Sequence, residues 1–150
     1  MKPNVINKMK LEFESKSVNE SFARTSISAF VSSLDPTIEE ISDIKTAVSE
    51  AVTNSIVHGY AETIGKITIE AEIRKNNKVV IKIKDKGCGI ENVEKAREPL
   101  FTTCTTGERA GLGFAVMESM MDKIKVNSTY HKGTTVIMEK IINSKDNENV

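Results

Sequence analysis

Between Met9 and Phe13 the chain alternates: Met9, Leu11 and Phe13 are separated by Lys10 and Glu12, and Glu14 follows. A period of two belongs to a strand with one buried face, so this stretch predicts a first strand. From Val18 the period lengthens. Val18, Phe22, Ile27, Phe30, Val31 and Leu34 recur at helical spacing until "LDPT" brings in Pro36, which predicts a helix from about Val18 to about Ser33. Thr37, with Glu39 and Glu40 behind it, reads as an N-cap followed by acidic residues where the helix dipole favours them. The helix it starts runs through Ile41, Ile44, Val48, Val52 and Ile56 and should stop near His58 and Gly59.

"KITIEAEIRKNNKVVIKIKDKG" then gives two alternating runs joined at Asn76 and Asn77, residues that tolerate a positive φ, and predicts a β-hairpin. A second hairpin, turning at Lys132 and Gly133, is expected in "KVNSTYHKGTTVIMEKI". Between the hairpins "CGIENVEKAREPLFTTCTTGERAGLG" has little periodicity. It reads as a mobile segment with a short helix from about Val93 to Arg97, followed by an amphipathic helix in "LGFAVMESMMDKI". The last residues, from Asn143 onward, are polar and expected to fray. Strand, two helices, hairpin, loop, helix, hairpin is the order of an α+β domain with a mixed, mostly antiparallel sheet and helices on one face.

Composition narrows the class. A chain of 150 residues buries roughly 70% of its extended surface on folding, enough for a single domain with one core. Charged residues make up 28% and are balanced, 21 basic against 21 acidic, so no basic field points to nucleic acid or to a membrane surface. No apolar run is long enough to span a bilayer or to serve as a signal peptide. Cys88 and Cys104 lack metal-ligand spacing, and two cysteines do not staple a domain of this size; a cytoplasmic protein with two free thiols is expected.

The chemistry starts in "EAVTNSIVH". Glu50, Asn54 and His58 are each four residues apart, so they fall in a narrow arc of one face of a helix that is otherwise apolar. Three glycine clusters follow: "DKGCGI", "TTGERAGLGF" and "KGTT". The second precedes a helix, whose free N–H groups would suit phosphate. The common phosphate motifs are missing: there is no GxxxxGK[ST], and Val116 stands where a dinucleotide fingerprint needs a small residue. Asp85 ends a strand on its inward face, in line with Val79, Ile81 and Ile83. A buried carboxylate needs a donor, and the exocyclic amine of a purine supplies one.

"SEAVTNSIVHG", "DKGCGI", "GLGF" and "KGTT", in this order, resemble the N, G1, G2 and final threonine boxes of the GHKL ATPase and kinase superfamily. "NESFAR", "LDPT", "HGY" and "AREPLFTT" extend the resemblance over nearly the whole chain to its anti-sigma serine kinases. The resemblance implies the Bergerat fold, a two-layer α/β sandwich with a mobile ATP lid, and ATP or ADP with Mg²⁺ as cofactors. Asn54 would hold Mg²⁺, and Glu50 would be the general base. Asp85 and Thr134 would bind adenine, Gly87 and Gly89 would turn the strand end around it, and His58 would line the phosphate side or cap its helix. Gly107, Gly111, Leu112 and Gly113 would wrap the phosphates, with Thr105 and Thr106 as lid hydroxyls or backbone donors and Arg109 reaching the terminal phosphate or a partner. The implied partners are a sporulation sigma factor held by a homodimer and an anti-anti-sigma protein phosphorylated on serine, with Glu20 and Arg24 on the partner-binding face. A general-stress anti-sigma kinase and a histidine-kinase-type catalytic module are the alternatives.

Overall fold

The structure, a computed structural model, describes residues 4–97 and 113–143. Among these the order is β1 (Val5–Glu14), α1 (Val18–Val31), α2 (Ile38–Asn54), β2 (Lys66–Arg74), β3 (Lys78–Asp85), α3 (Val93–Ala96), α4 (Gly113–Met120), β4 (Lys123–Thr129) and β5 (Gly133–Ile141). The strands form one sheet in the order β1-β2-β3-β5-β4, with every neighbouring pair antiparallel.

Register explains both the core and the site. Leu11, Ile69, Ile83, Val136 and Val126 lie opposite one another from β1 across to β4, an apolar row under the helices. Two residues along, the next inward-facing row runs Phe13, Ile67, Asp85, Thr134, Ser128. It starts apolar and becomes polar at β3. The opposite face of the sheet is charged, as in the row Lys10, Glu70, Lys82, Ile137, Lys125.

The helical layer closes the core with Ala23, Ile27 and Val31 of α1, Ile44, Val48 and Val52 of α2, and Phe114 and Met117 of α4, all buried. Each fully buried isoleucine or valine contributes on the order of 1.5–3 kcal/mol, so the centre of the sheet around Ile81 and Ile83 anchors the fold. α2 is fixed at its start by a capping box: Glu40 N–H donates to Thr37 Oγ1 at 3.0 Å, and Thr37 N–H donates to Glu40 Oε1 at 2.9 Å. Glu40 Oε2 accepts from Asn143 N–H at 2.8 Å, tying the chain beyond β5 to the same helix start.

The structure corrects two sequence expectations. Val18 and Phe22 of α1 are 74% and 49% exposed, not core residues. α1 packs through the stripe that includes Ala23, and Phe22 instead sets its ring edge-on to Phe13 of β1, 6.3 Å between centroids. The second change is that α2 does not reach Gly59 as an α-helix. Ser55–Gly59 form a π turn, closed by Tyr60 N–H donating to the Ser55 carbonyl at 2.8 Å. The first hairpin turns where expected, with positive φ at Asn76 and Asn77, and the second through His131 and Gly133. No helix among the described residues is long and apolar enough to cross a membrane.

Candidate functional site

Asp85 sits at the polar end of the inward row and is only 6% exposed. Its oxygens are held by protein donors: the Ser55 hydroxyl reaches Oδ2 at 2.7 Å, the Gly87 N–H reaches Oδ1 at 2.9 Å, and the Thr134 backbone N–H adds a third bond. Burial pushes the carboxyl above its ordinary range, and these three donors pull it back. Beside it, the Thr134 hydroxyl lies 2.8 Å from Ser128 Oγ. Ser128 Oγ in turn donates to the Gly133 carbonyl at 3.0 Å and accepts from Ile90 N–H at 2.8 Å. With the Ser128 proton so used, Thr134 donates to Ser128 and keeps its lone pairs for an incoming donor.

Close backbone approach packs this corner. A Cβ on Gly87 would stand 2.2 Å from the Gly59 carbonyl oxygen, and one on Gly89, at φ +72°, would stand 2.2 Å from the Thr129 carbonyl oxygen. The glycines thus let the β3 exit lie against the π turn and the β4 end. Tyr60 braces the same exit: its hydroxyl accepts from Lys86 N–H at 2.6 Å and donates to the Lys66 carbonyl at 2.8 Å. Cys88 N–H donates to the Gly59 carbonyl at 2.8 Å. Cys88 Sγ lies 3.0 Å from the His58 carbonyl oxygen, and Cys104 lies outside the described residues.

A cavity opens here, lined by Asn54, Ser55, His58, Gly59, Asp85, Gly89, Ile90, Phe114 and Thr134 among others. One end is the Asp85 corner; the other is Asn54, where the first residue of α4 arrives. A Cβ on Gly113 would stand 2.7 Å from Asn54 Nδ2. Asn54 Oδ1 is buried with no hydrogen-bond donor among the described residues. Such an oxygen costs free energy unless something binds it, and an acceptor of this kind suits a hard cation. No group of three or more His, Cys, Asp or Glu capable of holding a metal occurs among the described residues, so a metal here would take few protein ligands. This is the habit of Mg²⁺ bound beside phosphate. His58 lines the same cavity, and burial lowers its pKa, favouring the neutral ring.

The cavity thus gathers Asn54, His58, Asp85, Gly89 and Thr134 of the expected residues, with Gly113 against Asn54 and Gly87 behind Asp85. Glu50 is buried one turn before Asn54, outside the set that lines the cavity. Thr105, Thr106, Gly107, Arg109, Gly111, Leu112 and the expected lid lie outside the described residues. Their flanks are joined: Arg97, just after α3, pairs with Glu118 of α4, its Nε donating at 2.6 Å. Glu20 and Arg24 lie on α1 and approach one another only to 4.0 Å. Sequence reasoning missed Ser55, Tyr60 and Ser128. Ser55 carried a faint signal, a hydroxyl next to Asn54 in an apolar helix; the other two act through pairings that no local pattern reveals.

Residues 13–140 match the family model for the histidine kinase-like ATPase domain. The chain is 61% identical over 138 residues to an anti-sigma F factor of Thermoanaerobacter sp. (strain X514), an alignment covering 92% of this chain and 96% of that protein. It is 56% identical over 139 residues to an anti-sigma F factor of Clostridium perfringens (strain SM101 / Type A), covering 92% and 99%. Among solved structures, the RsbU and RsbW domains of Rv1364c from Mycobacterium tuberculosis superpose with a TM-score of 0.67 at 18% identity, over 91% of this chain and 32% of that one. The catalytic domain of histidine kinase ThkA superposes with a TM-score of 0.56 at 20% identity, over 89% and 96%. These structural likenesses extend to the fold.

Proposed function

The chain belongs to the anti-sigma F factor family, within the histidine kinase-like ATPases, and from that premise we propose that its cavity binds ATP and ADP with Mg²⁺ and transfers the γ-phosphoryl group to a serine of an anti-anti-sigma protein. The same molecule, as a homodimer, binds and inhibits a sporulation sigma factor. The observation that carries the nucleotide reading is the pairing, in one cavity, of a buried carboxylate held in place by protein donors with a buried amide oxygen that has no donor among the described residues. Asp85 takes the adenine amine with help from Thr134. Asn54 would hold Mg²⁺ through Oδ1, and the ion would neutralise charge on the phosphate oxygens.

Glu50 is the base. It is buried on α2 one turn before Asn54, close enough along the helix to face the phosphate that Asn54 and its ion would hold. It takes the proton of the serine hydroxyl as that oxygen bonds to the γ-phosphorus and the bond to the β,γ-bridging oxygen breaks, releasing ADP. His58 lines the phosphate side as a neutral ring. Glu20 and Arg24 form part of the partner-binding face: they are i, i+4 neighbours beside exposed Val18 and Phe22, an apolar and charged mixture that suits a protein surface.

The test is transfer of label from γ-labelled ATP to a purified anti-anti-sigma protein. Glu50→Gln should slow transfer by roughly 10²–10⁴-fold while ADP binding is kept. Transfer at the native rate would remove Glu50 from the mechanism, and absence of ADP binding by the native chain would remove the nucleotide reading.

A further inference from the structure

We propose that Ser55 is the positioning residue for purine selection, holding Asp85 so that its carboxylate can receive a 6-amino group and no other purine substituent at that position. The inference rests on the nucleotide reading above and goes one residue beyond it. Among the described residues Ser55 is the one side chain that hydrogen-bonds Asp85; the other donors, Gly87 and Thr134, are backbone groups. The contact is short, 2.7 Å, between two buried residues thirty positions apart. The Ser55 hydroxyl has one proton, and Asp85 Oδ2 takes it.

The two oxygens are therefore pinned separately, Oδ2 by the π turn and Oδ1 by the β3 exit. A carboxylate so held cannot rotate, and its remaining lone pairs point in fixed directions. A 6-amino group donates to such an oxygen. A 6-oxo group presents lone pairs to lone pairs and is repelled, which is the asymmetry that lets a buried polar group discriminate strongly. The π turn makes the hold rigid, because the Ser55 carbonyl is itself bonded to Tyr60 N–H. An alanine at this position would leave Oδ2 buried without its donor, free to turn away from the base or to take up a proton. Either change removes an acceptor from the amine.

The experiment compares ADP, GDP and purine riboside 5′-diphosphate, which lacks any 6-substituent, as ligands of native protein, Ser55→Ala and Ser55→Thr. Ser55→Ala should weaken ADP roughly tenfold, the scale of a hydrogen bond to a charged group, and leave purine riboside diphosphate within twofold of native. Its preference for ADP over GDP should shrink by a similar factor, and Ser55→Thr should restore both. Urea unfolding of the nucleotide-free variants checks that each is folded, and Ser55→Cys, of similar size with a weak donor, replaces an alanine variant that is not. Equal weakening of ADP and purine riboside diphosphate would make Ser55 merely structural and overturn the inference while leaving the site intact. Native protein that binds ADP no better than purine riboside diphosphate would overturn the Asp85 reading itself, and the inference with it.

Discussion

Gly113 leaves no room for a methyl group against the side-chain amide of Asn54: a Cβ on Gly113 would come within 2.7 Å of Asn54 Nδ2. The first residue of α4 is thus fitted to the residue read as the metal ligand. Gly113→Ala should push the Asn54 amide aside, with an overpacking cost of about 1–3 kcal/mol. ADP affinity in excess Mg²⁺ should fall, while the weaker affinity measured in EDTA stays near native. Isothermal titration in the two buffers gives both numbers, and an equal loss in each would show that the contact serves packing alone.

Asp85 gives a pH dependence with a defined sign. Its pKa is raised in the folded protein by burial, so in the absence of nucleotide its contribution to stability is fully present below the ordinary carboxyl value of 3.8 and is lost as pH rises through the raised value. Accepting an amine needs the ionised form. ADP affinity should therefore fall as pH drops, along an acid limb centred above 3.8, and Asp85→Ala should bind ADP weakly with no such limb. Fluorescence titration with a labelled ADP from pH 4.5 to 8 follows it.

Tyr60→Phe removes a hydroxyl that links the start of β2 to the exit of β3, through the Lys66 carbonyl and Lys86 N–H. The expected loss is about 1–2 kcal/mol in urea unfolding, since two backbone groups lose a partner. Because Lys86 follows Asp85 directly, ADP binding should weaken as well, by a larger factor than binding of inorganic pyrophosphate. Stability and selectivity moving together would mark Tyr60 as the brace of the adenine end.

Thr37→Ala breaks the capping box at the start of α2 and should cost about 1 kcal/mol, read as a lower urea midpoint with an unchanged slope. Glu40→Ala should cost more than Thr37→Ala, because Glu40 also receives Asn143 N–H. Neither residue is near the cavity, so ADP binding at low denaturant should remain native.

Much of this architecture was legible because it follows from local periodicity. The alternation in Val79, Ile81, Ile83 and Asp85 placed the carboxylate on the inward face, and the four-residue spacing of Asn54 and His58 put both on one cavity wall. What escaped depends on register between distant strands and on backbone closure. Ser128 joins Thr134 because β4 and β5 pair in one particular offset, and Tyr60 reaches Lys86 only after a turn that no hydrophobic period encodes. Phe22 escaped for a related reason: helical spacing identifies an apolar stripe, but the neighbouring elements decide which edge of the stripe is covered.

The π turn from Ser55 to Gly59 closes with one residue more than an α-helical turn holds. That surplus residue separates two phases of the chain. Asn54 belongs to the angular register of α2, whereas Gly59 and Tyr60 belong to a register shifted to meet the end of β3. The Asn54 side and the Asp85 side of the cavity are therefore indexed to each other by a residue count, and the length of "SIVHG" constrains this site before its composition does.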